Sequence, residues 1–116
     1  MKLPWWLPFG SVPEIGPADL ASAMSGAEQP VLIDVRTVAE FATGHLAGAV
    51  NVPVTSLAGR IPSLSLPAGR PIVAICLSAH RSPPAVRLLR NAGHDARQLA
   101  GGMIAWRLAG LPVVRA

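Results

Sequence analysis

Two short apolar runs, VLIDV at residues 31–35 and PIVAIC at residues 71–76, set the tightest limit on what this chain can fold into. Each is too short for a helix and is rich in β-branched residues and leucine, the pattern of a strand covered on both faces in a parallel sheet. A third, weaker strand is expected at residues 96–99, and a short one around Val50 to Val52 before Pro53.

Helical patterning fills the segments between. PADLASAMS opens with Pro17, a residue suited to the first helical position, and spaces Leu20 and Met24 four apart. Thr37 is placed to cap a helix over VAEFAT, with Glu40 in capping-box register and Gly44 ending it. SPPAVRLLRNAG puts Ala85, Leu88, Leu89 and Ala92 on one helix face with Gly93 as the stop, and GMIAWRLAG forms the last helix between Gly102 and Gly110. Residues 56–66 are ambiguous, a helical turn broken by Pro62. Strands alternating with helices predict a three-layer α/β domain whose central, mostly parallel sheet is flanked by helices.

Composition narrows the function. The chain has 116 residues, enough for one domain with a real core, and at 51% hydrophobic and 14% charged it is not a disordered sequence. No apolar run reaches the roughly 20 residues of a membrane helix. The net charge of +4 favours small anions, but the arginines are scattered from Arg36 to Arg115 without the basic stripe of a nucleic-acid binder. Prolines at 4, 8 and 13 break any signal-peptide core, so a cytoplasmic location is expected. Residues 1–16 read as an extended aromatic and proline arm and residues 17–116 as the folded domain. Trp5, Trp6 and Phe9 carry enough apolar area to cover the core, a second copy or a membrane surface, with self-packing expected.

The single cysteine, Cys76, excludes an internal disulfide, and His45, His80 and His94 lack zinc-site spacing. A lone cysteine is often a small buried apolar residue. Its position argues otherwise, because ligands of parallel sheets gather where strands end and helices begin. Ser82 followed by Pro83 and Pro84 reads as an N-cap and helix start, which sets a helix dipole behind the loop Leu77, Ser78, Ala79, His80, Arg81 and lets backbone N–H groups converge on the sulfur. That setting favours the nucleophilic thiolate. Arg81 is either a surface ion-pair partner or, the preferred reading, a planar donor to an oxyanion. His80 either tunes the thiol or is simply solvated.

Residues 34–53, DVRTVAEFATGHLAGAVNVP, resemble the rhodanese signature D-V-R-x-x-x-E-[FY]-x-x-G-H-[IL]-x-G-A-x-N-[IVL]-P at every signature position. CLSAHRS is similar to that family's active-site loop, and GGMIAW at residues 101–106 to its late G-G-x-x-x-W element. The resemblance covers about Pro17 to Pro112. It implies a sulfurtransferase that carries sulfane sulfur as a Cys76 persulfide, taking it from a small anionic donor such as thiosulfate, bound near Arg81 and the loop residues through Ser82. The acceptor would be cyanide or a thiol, including one on a protein. It implies no metal and no cofactor. Phosphatases of the cell-division-cycle type, similar in fold, use C-x5-R, whereas Cys76 and Arg81 stand in C-x4-R, a shorter cradle that favours sulfur transfer. The family also contains idle binding or regulatory modules, which commonly lack the cysteine. Asp34, Arg36, Glu40 and His45 are expected to make structural ion pairs and loop-fixing hydrogen bonds away from the strand end that bears Cys76. Gly44, Gly48, Gly101 and Gly102 are expected in tight turns, and Met24, Met103 and Trp106 in the core.

Overall fold

A computed structural model describes residues 11–79 and 81–115. The apolar runs form the strands they predict: β2 (Val31–Asp34) and β4 (Ile72–Ile75) lie side by side in the middle of a parallel sheet. With β1 (Glu14–Ile15), β3 (Val50–Asn51) and β5 (Ala96–Leu99), the order is β1-β5-β4-β2-β3. The strand β1 falls where the sequence suggests only the end of an arm: two residues have too little periodicity to announce a strand, and pairing with Gln98 and Leu99 is what makes them one. The expected arm contacts of Trp5, Trp6 and Phe9 lie outside the described residues.

The helices are α1 (Pro17–Met24), α2 (Val38–Ala42), α3 (Val54–Arg60), α4 (Ser82–Asn91) and, after the last strand, α5 (Gly102–Leu108). The ambiguous residues 56–66 resolve into most of α3 and a 3-10 turn at Ile61–Ser63, where Pro62 ends regular helix. Thr37 and Glu40 form the expected capping box on α2.

Period-two alternation divides the core. Ile33, Ile72, Ala74, Cys76 and Ala96 face one side with Ala85, Val86 and Leu89 of α4, while Leu32, Val73, Ile75 and Leu99 face the other with Leu20, Met103 and Trp106. Met24 only borders that second cluster. Of the expected face of α4, Ala85 and Leu89 are buried, Leu88 is half-buried and Ala92 is exposed, while Val86 joins the core instead. The strand order has a functional consequence. After β2 the chain moves outward to β3, and after β4 it moves the opposite way to β5, so the C-terminal ends of β2 and β4 flank the topological switch point of the sheet.

Candidate active site

Cys76 follows β4 directly at that switch point and is 1% exposed. Its loop is pinned from below. The carbonyls of Cys76 and Leu77 accept hydrogen bonds from the N–H groups of Met103 (2.8 Å) and Ile104 (3.0 Å), so the loop supplies the acceptors that the first turn of α5 lacks within its own helix. This fixes the need for Gly102: its φ is +60°, and a Cβ there would stand 2.4 Å from the Cys76 carbonyl oxygen. The turn expected at this glycine is real, but close approach to the loop is the stricter demand. Within the loop, Ala79 holds a left-handed φ of 65°, an uncommon conformation for a residue with a Cβ. Leu77 is 40% exposed, Ser78 and Ala79 are half-buried, and His80 lies outside the described residues.

Ser82 does not cap α4. The helix begins with Ser82 itself after Arg81, and no side chain caps it. The Ser82 hydroxyl points instead to Cys76 Sγ at 3.4 Å and donates to Gln98 Oε1 at 2.7 Å. Ser82, Pro83 and Pro84 are all buried, and this gives the two prolines a reason: a buried helix start leaves N–H groups without partners, and proline has none to satisfy. Gln98, 8% exposed, in turn donates from Nε2 to Glu14 Oε2 at 3.1 Å.

Arg81 pairs with Glu40 through both Nη atoms, at 2.5 and 2.8 Å. The contact crosses the switch point, joining the start of α4 to α2. Hydrogen bonding to Arg81, aided by Thr37 and opposed by burial, lowers the Glu40 carboxyl from 4.5 to about 2. The same bond, foremost, holds the Arg81 guanidinium above its ordinary value, and burial opposes it. Glu40 thus takes the structural ion-pair role expected of it, but not at a distance. β2 is hydrogen-bonded to β4 and Asp34 stands in register with Ile75, so Asp34, like Glu40, lies near the strand end that precedes Cys76 and not away from it.

Asp34 and Arg36 form a buried fork: the guanidinium donates from Nε at 3.0 Å and from Nη2 at 2.8 Å, with Nη2 also bonding the Gly44 carbonyl. Asn51 Nδ2 donates to the carbonyls of Asp34 and Arg36, tying β3 into the same network. His45 stacks on Phe41 with centroids 3.6 Å apart. Sequence reasoning did not single out Gln98 or Glu14. The available signal was a glutamine inside the short buried strand ARQL, where a polar side chain needs a buried partner.

Residues 17–109 match the model of the family described as Rhodanese-like domain. Over 104 residues the chain is 35% identical to a sulfurtransferase of Allochromatium vinosum, covering 89% of this chain and 95% of that protein. It is 45% identical over 89 residues to an HTH-type transcriptional regulator of Mycobacterium tuberculosis, covering 75% of this chain but 38% of the regulator. The solution structure of the rhodanese-like domain of an Anabaena protein superimposes with a TM-score of 0.80 at 30% identity, covering 91% of this chain and 81% of that one. A rhodanese-related protein of Thermoplasma volcanium gives 0.79 at 28% identity, covering 90% and 100%. A parallel sheet with its one thiol at the switch point, and a family match spanning nearly all of that sheet, lead to one conclusion: this chain belongs to the rhodanese-like domain family.

Proposed function

We propose that the protein is a sulfurtransferase that carries sulfane sulfur as a persulfide on Cys76. The observation that carries this reading is the junction itself: the chain's single thiol directly follows the central strand at the switch point, with Arg81 five residues on at the start of α4.

With thiosulfate as donor, the Cys76 thiolate attacks the outer sulfur. The bond between the two donor sulfurs breaks, sulfite leaves with the electron pair, and the persulfide keeps the negative charge on its terminal sulfur. A thiolate or cyanide then attacks that terminal sulfur, giving an acceptor persulfide or thiocyanate and returning the Cys76 thiolate. Arg81 supplies positive charge to the donor's sulfonate. Glu40 engages one N–H on each Nη, which leaves Nε–H and the second N–H of each Nη for an anion. Backbone N–H groups of the loop after Cys76 supply fixed donors for the terminal sulfur.

Intact-protein mass spectrometry after thiosulfate exposure tests the reading. The expected result is one added sulfur that dithiothreitol removes and that is absent in Cys76→Ser. A Cys76→Ser protein that still transfers sulfur from thiosulfate overturns it.

The likeness to part of a transcriptional regulator favours a second reading, a binding or regulatory module. Absence of a removable sulfur adduct with any low-molecular-weight donor selects that module. Phosphate release from an aryl phosphate would select the phosphatase chemistry that the short C-x4-R loop disfavours.

A further inference from the structure

The polar chain behind Cys76 has a direction, and the chemistry of its end members fixes it. A Glu14 carboxylate only accepts hydrogen bonds, so Gln98 must turn its amide NH2 toward Glu14 and its Oε1 toward Ser82. Oε1 also only accepts, so the Ser82 O–H must donate to it. What Ser82 then offers Cys76 is a lone pair, which suits S–H and not thiolate. Ser82 is fully buried and Gln98 nearly so, so no solvent stands ready to replace a lost partner. To donate to a thiolate, the hydroxyl would have to leave Oε1 without a donor in a buried site.

We infer that Gln98 is a positioning residue that sets the direction of the Ser82 hydroxyl and thereby holds Cys76 in its thiol form to higher pH. The parallel register of β1 and β5 makes this possible by placing Glu14 opposite Gln98. The charged groups of the neighbouring elements are Arg81 at the start of α4, Glu40 of α2 bonded to it, and Asp34, in register with Ile75 of β4. None of these changes when Gln98 is replaced, so the difference between variants, rather than the absolute midpoint, reports on Gln98.

The inference rests on Cys76 being the reacting thiol of the proposed function. Its test is the pH titration of far-ultraviolet thiolate absorbance, with Cys76→Ser as the blank. Gln98→Met keeps length and removes the acceptor, which frees Ser82 to donate to sulfur. The midpoint is expected to fall by about half to one pH unit, roughly three- to tenfold more thiolate at a given pH below the midpoint. In a Ser82→Ala background the same substitution should move nothing. A Gln98→Met midpoint at or above the wild-type value overturns the inference, as does a full decrease that persists without the Ser82 hydroxyl. Should Gln98→Met fail to fold, Gln98→Leu, which also removes the acceptor from Ser82, takes its place. A lowered midpoint supports the inference, and an unchanged one overturns it. Absorbance reads protonation alone: a shifted midpoint without sulfur loading sinks the transfer reading and leaves the role of Gln98, and loading without a shift does the reverse.

Discussion

Two arginine–carboxylate forks stand at the same end of the sheet, and they differ in what surrounds them. Arg36 and Asp34 are 2% and 0% exposed, and the guanidinium also ties down the Gly44 carbonyl. Arg81 and Glu40 are 32% and 30% exposed and join two crossover segments that the sheet leaves separate. The first fork has no water to fall back on, so breaking it strands a charge. The second faces solvent on part of its surface, so its partners can be exchanged for water or for an anion at small cost. A signature rich in charged residues therefore serves two purposes: one pair fixes the loop, and the other keeps a cation in place yet available.

The largest effect should come from breaking the buried fork. Arg36→Ala is expected to cost about 3–5 kcal/mol by denaturant unfolding, because Asp34 is left charged and alone in the interior. Replacing both members with apolar residues should recover much of that loss, which a double-mutant cycle would read. Next in size is Arg81→Ala. Sulfur loading from thiosulfate should fall about ten- to hundredfold, as loss of a charge-assisted contact worth about 1.5–3 kcal/mol implies. Stability should move by less than about 1 kcal/mol. A loss of stability similar to that of Arg36→Ala would erase the distinction between the forks.

Glu40→Gln is smaller and runs the other way. Releasing Arg81 from a competing carboxylate should speed thiosulfate loading about two- to fivefold, the equivalent of a surface ion pair, in single-turnover mass spectrometry. The same variant sharpens the pH comparison. Because the folded-state value of Glu40 is depressed to about 2, its stabilising contribution is present above about 4.5 and is lost as pH falls toward 2. Glu40→Gln should match the wild type near pH 2 and fall slightly below it at neutral pH. The smallest effect is that of salt: at high ionic strength the stability gap between wild type and Glu40→Gln should close, whereas the gap to Arg36→Ala should persist.

Much of the fold was legible along the chain because β2, β4, the capped helix α2 and the proline start of α4 depend on near neighbours. The strand β1 was not, since two residues carry no pattern and only the edge of β5 defines them. The site divides the same way. The strand-to-helix junction gave the position of Cys76, but the reading of Ser82 as an N-cap failed. Capping is a local default, and here it lost to a buried contact with Gln98, sixteen residues away. Gly102 was legible as a glycine that turns, but its close approach to the Cys76 carbonyl came from packing α5 under the loop.

By itself, then, the sequence determined the alternation of strands and helices, the place of the thiol after a central strand, and the spacing from Cys76 to Arg81. Only the tertiary structure decided the partners: Glu40 for Arg81 across 41 residues, and Glu14 for Gln98 across 84. The physical reason is range. Backbone conformation responds to the few residues on either side, whereas a side chain's hydrogen-bond partner depends on strand order and register, which no local stretch of sequence contains.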